Sequence, residues 1–462
     1  MPQTHLVVGG GIAGLYAAHL LKRKHPESAV VIVEQAPEVG GLLQSFDYGE
    51  QGIFDRGVHT FYETGNADVD DFFLSLLPED DWKFLTDYKR DLGGSWFEDR
   101  VQYDTPYPNL SDLDPARRAE LVAGFFENLA PNQAPSEDMD VMSYARARFG
   151  DAIAEQVIRP AIEARQHMPA EDIHWLAMNV QGLGRVALLP TEAIEVLAEA
   201  PGFAARLAFP DQLNYPEKYL SGKRAYYPAK FGLSRFIGKL ETRLKEADIE
   251  ILTSAKLGGL ELSDGKCTAA NITLNDGTSR KLDTASVHWS VGMPALAATL
   301  KLDMSQYSFD PPHQTVICNL LMSEKPNCEG TYYAFYHGHD RIHRISFGYN
   351  YADDVGPHGQ FPMSIELVYP KGADTSNVTA EVEAWLRADG VIGDSSIVTF
   401  AKGEVLRGGY PSLSCKNVGA MFAMRNDILQ QDIANLTPIG ILAKDNLFFQ
   451  FDIIQHIHEL LG

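Results

Sequence analysis

Apolar positions are most regularly placed in the first forty residues. His5-Leu6-Val7-Val8 is a short apolar run of the kind that forms a strand buried on both faces. Gly9-Gly10-Gly11-Ile12-Ala13-Gly14 comes next, and 15–24 then carries Leu15, Ala18 and Leu21 at helical spacing. The run Val30 to Val33 predicts a second strand, with Glu34 at its end and Gly40-Gly41 soon after. The pattern is strand, glycine turn, helix, strand.

Helical spacing recurs over 68–77, 112–129, 143–166, 233–247, 293–300, 378–389 and 453–461. Ser111 or Asp112 caps the second of these and Ser143 the third. The stretch 82–107 predicts strands turning at Gly93-Gly94, and 249–252 and 285–291 predict two more. Residues 260–262 and 272–274 predict a hairpin, and Asn275-Asp276-Gly277 is a second tight turn. Between about 305 and 400, runs at 316–321, 332–336, 342–350, 363–369 and 397–401 predict a mostly antiparallel sheet.

The opening unit carries chemistry as well as structure. Gly9 permits a tight turn, Gly11 lets backbone approach a pyrophosphate, and Gly14 lets helix and strand pack closely. Ile12 and Ala13 begin a helix whose unpaired N–H groups favour phosphate. Glu34, twenty residues beyond Gly14, is placed to take the ribose hydroxyls of an adenosine. The context of strand, helix and closing acid turns a weak motif into a strong dinucleotide signal.

Composition narrows the remaining choices. A chain of 462 residues has room for two or three domains, and 45% apolar with 22% charged residues is ordinary for a globular protein. The net charge of −23 argues against nucleic acid or an anionic membrane surface as partner. No run of about 20 apolar residues predicts a membrane span. The first strand starts almost at the N-terminus, so a cytoplasmic location is expected. Cys267, Cys318, Cys328 and Cys415 form no C-x-x-C pair and read as reduced thiols. His337, His339 and His343 have no carboxylate or Cys at matching spacing, so no metal site is expected.

The stretch Glu34-Gln35-Ala36-Pro37-Glu38-Val39-Gly40-Gly41 resembles the second signature of FAD oxidoreductases related to amine oxidases, protoporphyrinogen oxidases and UDP-galactopyranose mutases. Leu42 stands where many members of that superfamily have Arg or Lys. The resemblance continues at Phe54-Asp55-Arg56-Gly57-Val58-His59, at Arg148-Phe149-Gly150 with Arg159-Pro160, at Tyr226-Tyr227-Pro228, and at Phe449-Gln450-Phe451-Asp452. It implies an α/β fold with an FAD-binding Rossmann-like domain of the glutathione-reductase type. An α+β substrate domain, an antiparallel sheet plus helices, accompanies it. The implied boundaries are 1–70, 215–305 and 401–462 for the first, and 71–214 and 306–400 for the second.

On that resemblance the FAD contacts are Gly9, Gly11, Ile12, Ala13, Gly14, Glu34, Gln35, Gly40, Gly41, Leu42, Gly57, Val58, His59, Leu257, Gly440, Gln450 and Asp452. His59 is the catalytic candidate beside the isoalloxazine. The implied activity is oxidation of a small-molecule substrate by hydride transfer to flavin N5. Two alternatives stay open: a redox-neutral flavoenzyme acting on a nucleotide sugar, and a flavin-binding protein without turnover. Clustered Arg159, Arg165 and His167 read either as a substrate-anion site or as a solvated helix end, and the latter is preferred. Oligomeric state is not legible.

Overall fold

The structure is a computed structural model that describes residues 3–85, 93–98, 100–102, 104–127, 135–211, 214, 216–219, 223–336, 341–354, 356–406, 412–445 and 447–462. Leu6, Val7 and Val8 in β1 (Thr4–Val8) and Val30 to Val33 in β2 (Ala29–Val33) are each at most 5% exposed. Burying such a side chain contributes about 1.5–3 kcal/mol, so these continuous apolar runs settle in the middle of a sheet. α1 (Ile12–Lys24) joins them. The sheet has five strands, in the order Ile249–Leu252, β2, β1, Ser286–Trp289, Leu436–Pro438. Every pairing is parallel. The chain leaves β1 in one direction and later returns on its other side, which opens a crevice at the carboxyl end of β1.

One face of this sheet packs on α1, the helix Ser234–Glu246 and the closing helix Gln450–Leu461. The other face packs on the antiparallel ribbon Lys256–Ser263, Lys266–Thr273, Ser279–Asp283 and on the helices Met293–Thr299 and Cys415–Gln430.

A second sheet has seven strands, in the order Val398–Val405, Gln314–Met322, Phe361–Tyr369, Ile342–Phe347, Tyr332–Phe335, Gly93–Phe97, Arg100–Gln102. All its pairings are antiparallel except Tyr332–Phe335 with Gly93–Phe97. The turn expected at Gly93-Gly94 is therefore strand. These glycines are chosen for space: a Cβ at either would come within 2.6 Å of the ring of Tyr332 or Tyr333 on the neighbouring strand.

The helical stretch 143–166 is also differently built. Asp140, not Ser143, caps it, accepting from Met142 N and Ser143 N at 2.9 Å each. Gly150, at φ +83°, then breaks the stretch before it restarts toward Arg159–Gln166. Similarly, the helix expected from 112 begins at Pro115, with the Asp114 carboxylate accepting from Ala116 N and Arg117 N. Among the described residues, no helix is long and apolar enough to cross a membrane.

Candidate cofactor and active site

The glycine loop at the end of β1 has three different glycines. Gly9 lies at φ +102°, and a Cβ there would fall 2.4 Å from Ser290 Oγ. A Cβ on Gly14 would fall 1.9 Å from the Gly9 carbonyl oxygen, so α1 can lie against the loop only because that atom is absent. Gly11 has nothing within 4 Å of its Cβ position. That open space lies at the N-terminus of α1, where Gly11 is the residue before the first helical turn. That helix has no side-chain cap and no acid in its first turn, so the N–H groups around Ile12 and Ala13 are left for another acceptor.

The second glycine pair is brought onto this loop. Gly40 N donates to Gly10 O at 2.7 Å, and a Cβ on Gly41 would touch Gly11 Cα at 3.4 Å. Gly40 and Gly41 both have positive φ, +114° and +59°. Glu34 holds the arrangement from below. One carboxylate oxygen accepts from Gly10 N at 2.6 Å and the other from Ala36 N at 2.7 Å. The Glu34 backbone is clasped by the strand Ile249–Leu252 and the turn at its end: Glu34 N donates to Leu252 O, and Ala255 N to Glu34 O. Leu257 follows two residues on, at the start of the strand Lys256–Ser263. Gln35 and Leu42 are exposed at the rim.

The turn 55–59 forms the next part. Asp55 is buried and accepts from Tyr227 Oη–H, Leu233 N and Ser45 Oγ–H. Burial outweighs these donors and pushes its carboxyl up to about 6. Gly57 lies at φ +113°, with its Cβ position 2.9 Å from Glu366 Oε1. The same carboxylate accepts from Val58 N at 2.8 Å and takes both Arg344 Nε and an Arg344 Nη at 3.0 Å. This buried fork ties the seven-stranded sheet onto the turn. It holds His59 in place, whose Nε2 is shut off from solvent without a hydrogen-bond partner. Burial lowers the imidazole to about 4, with nearby Glu366 and the Arg56 carbonyl opposing and Arg344 assisting the drop. His59 is therefore a neutral ring with a buried nitrogen aimed at nothing in the protein.

The chain end returns to the same region. Ile439 N donates to Trp289 O at 2.8 Å, and a Cβ on Gly440 would fall 2.7 Å from Ser290 O. Ser290 Oγ in turn donates to Val8 O and Gly9 O, so Gly440 stands beside the first glycine loop. Described residues 447–449 are not strand, and the closing helix starts at Gln450, earlier than expected. No side chain caps it. Gln450 and Phe451 line a small cleft with Tyr62, Asp70, Tyr226 and Thr60, the residue that follows His59 in the chain. Asp452 is half-buried, and burial raises its carboxyl while Lys223 and Lys444 oppose.

Arg159, Arg165 and His167 do not converge. Arg159 pairs with Glu155, Glu163 and Glu171 at a solvated helix end. Arg165 is buried and donates to the carbonyls of Phe335 and Gln181, and His167 Nε2 meets Val368 O. His337 and His339 lie outside the described residues. Sequence reasoning missed Glu366, Arg344 and Arg56. Glu366 lies 308 positions beyond Val58 and meets it only through folding. Arg344 comes with Glu366 on the neighbouring strand, and Arg56 carries no spacing signal.

A family model for an NAD(P)-binding Rossmann-like domain matches residues 7–76. Protoporphyrinogen oxidase of Schizosaccharomyces pombe is 28% identical over 195 residues, and coproporphyrinogen III oxidase of Staphylococcus aureus is 23% identical over 167 residues. The first match covers 39% of each chain and the second 35% of each, so the chain spans well under half the length of these relatives. A solved structure of reduced UDP-galactopyranose mutase superimposes with a TM-score of 0.69 at 15% identity, over 93% of this chain and 85% of that one. Putrescine oxidase bound to putrescine gives 0.60 at 15% identity, over 100% and 98%. At these identities the likeness to the solved structures is one of fold. The chain resembles this group of proteins in its opening sequence and, along its whole length, in architecture.

Proposed function

We propose that this chain is an FAD-dependent oxidoreductase acting on a small molecule. The observation that carries the reading is the open Gly11 face beneath an uncapped α1, flanked by Gly41 and Glu34 and followed by the His59 turn. These residues fit a dinucleotide flavin. The α1 N–H groups and the backbone at Gly11 and Gly41 would hold the diphosphate. Glu34, with spare lone pairs on both oxygens, would take the ribose hydroxyls, and Leu257 backs the adenine. Gly57, Val58, Gly440, Gln450 and Asp452 would border the ring. The segments 1–70, 215–305 and 401–462 then form the cofactor-binding part, and 71–214 with 306–400 the substrate part.

Bound flavin supplies hydride acceptance, which no side chain here can provide. The chain's own work is to bind, orient and keep out water. His59, neutral above about pH 4, offers Nε2 as an acceptor for a proton or N–H brought beside it. The Arg344–Glu366 fork fixes the turn that carries it. The names of the relatives, protoporphyrinogen oxidase and coproporphyrinogen III oxidase, support an oxidase.

The test is direct. Purified protein should be yellow, and a substrate should bleach the bound flavin anaerobically. Colourless protein that takes up no FAD would end the reading. Turnover by the reduced enzyme alone would move it to redox-neutral chemistry, and flavin that no substrate in a broad screen bleaches would favour a binding protein without turnover.

A further inference from the structure

Resting on the reading of the glycine cradle as an FAD site, we propose that Arg56 is the side-chain cation that grips the cofactor's diphosphate. The motif supplies only backbone to this group. A diphosphate diester carries two negative charges, and on a chain of net charge −23 the partial charge of one helix end is a modest offset. A guanidinium at the rim would complete the cradle, because its planar fork matches phosphate oxygens.

Arg56 is placed there by the turn that also carries His59. Its Nη1 comes within 3.5 Å of the Gly41 carbonyl, a long contact that leaves most of its donor capacity unused. Gly41 abuts Gly11, and Gly40 is bonded to Gly10, so the guanidinium stands at the edge of the open Gly11 face. Its Nε is buried and donates to nothing. The side chain leans over the Phe46 ring, 5.3 Å from the centroid, which fixes its direction at little entropic cost.

The charge itself is unanswered. Three other arginines of this chain that are withdrawn from solvent hold carboxylates: Arg224 with Glu63, Arg344 with Glu366, Arg425 with Asp445. Among the described residues, no carboxylate pairs with Arg56. A buried N–H left idle is costly unless an acceptor joins it. The group that would join it here is the one the neighbouring backbone is shaped to receive.

The test uses the full chain freed of flavin and titrated separately with FAD, ADP and riboflavin. Arg56→Ala should weaken FAD and ADP alike, by about ten- to a hundredfold. Riboflavin, which has no phosphate, should bind as before. Wild type should lose FAD affinity with added salt more steeply than the variant. Leu42→Arg in the Arg56→Ala background returns a cation beside Gly41 from an exposed position, and should recover most of the affinity. Unchanged FAD and ADP affinity in folded Arg56→Ala would overturn the proposal. So would a loss confined to FAD and riboflavin, which would put the cation against the ring. If wild type itself binds no FAD, the underlying cofactor reading fails instead.

Discussion

At the residue scale, the cradle separates what the fold needs from what a ligand needs. Gly14 and Gly11 belong to one motif but differ in surroundings. A side chain on Gly14 meets the Gly9 carbonyl at 1.9 Å, whereas one on Gly11 meets nothing within 4 Å. Gly14→Val should therefore fail to fold or lose several degrees of thermal stability, because overpacking costs about 1–3 kcal/mol or more. Gly11→Val should melt like wild type yet purify colourless, since its branches would occupy the place proposed for the diphosphate. A yellow Gly11→Val protein would sink the cofactor assignment while leaving the fold untouched. On the proposed reading Glu34 does both kinds of work. Glu34→Ala removes the proposed ribose acceptor and the anchor of Gly10 N, and should cost about 1.5–3 kcal/mol of FAD binding, or ten- to a hundredfold. Glu34→Gln keeps an oxygen for Gly10 and should lose less. Equal losses in both variants, measured by flavin titration, would mean that the charge matters more than the loop anchor.

At the element scale, the joint between the two sheets is a carboxylate. Glu366, 4% exposed, sits on Phe361–Tyr369 and fastens the 57–58 turn through Val58 N, while Arg344 on the neighbouring strand supplies its counter-charge. Breaking a buried pair from one side leaves the other charge stranded, at about 3–5 kcal/mol, and the part-exposed Arg344 puts this case at the low end. Glu366→Gln should destabilise the chain by about 3 kcal/mol in denaturant unfolding. Arg344→Met/Glu366→Met, with no stranded charge, should recover much of that. A double variant as unstable as the single one would show that relieving the stranded Arg344 charge does not offset the lost acceptor for Val58 N.

The same joint shows how much is legible in the sequence. The opening strands and α1 come from local spacing, and so do the tight turn at Gly9, which lies at φ +102°, and the close packing at Gly14, where a Cβ has no room. The strands of the larger sheet are legible as alternating runs. Gly93-Gly94 misleads because a turn and a site of close ring packing use the same residue for different reasons, and only the partner strand tells them apart. Asp140 escapes notice as a cap because Ser143, three residues on, also suits one. Glu366 has no signal of its own: a single acid inside an apolar strand becomes meaningful only when folding brings it to residue 58.

For the molecule as a whole, the buried titrating groups set an acid limit on stability. Burial lowers His19, His59 and His288 to about 4, below the 6.5 of an exposed imidazole. As pH falls through 6.5 the unfolded chain takes up protons that the folded chain refuses until about 4. Their contribution is thus complete above 6.5 and is lost progressively between 6.5 and 4. Asp55, raised to about 6, acts oppositely: the folded carboxyl keeps its proton to higher pH, so its contribution is present below 3.8 and fades as pH rises to 6. Three imidazoles outweigh one carboxyl, and the midpoint of unfolding should fall as the flavin-free chain is acidified from pH 7 to 5. The origin can be localised at the base of the first sheet. There His288 shares the Ser286 hydroxyl with His5, and His5 stacks on His25 at 4.5 Å, so a proton on one ring opposes a proton on the next. His288→Leu deletes one member at the cost of its bond to Ser286. The variant should be less stable than wild type at pH 7 and close that gap by pH 5. Stability curves for the two proteins that run parallel across this range would place the acid sensitivity elsewhere, with His59 the next residue to test.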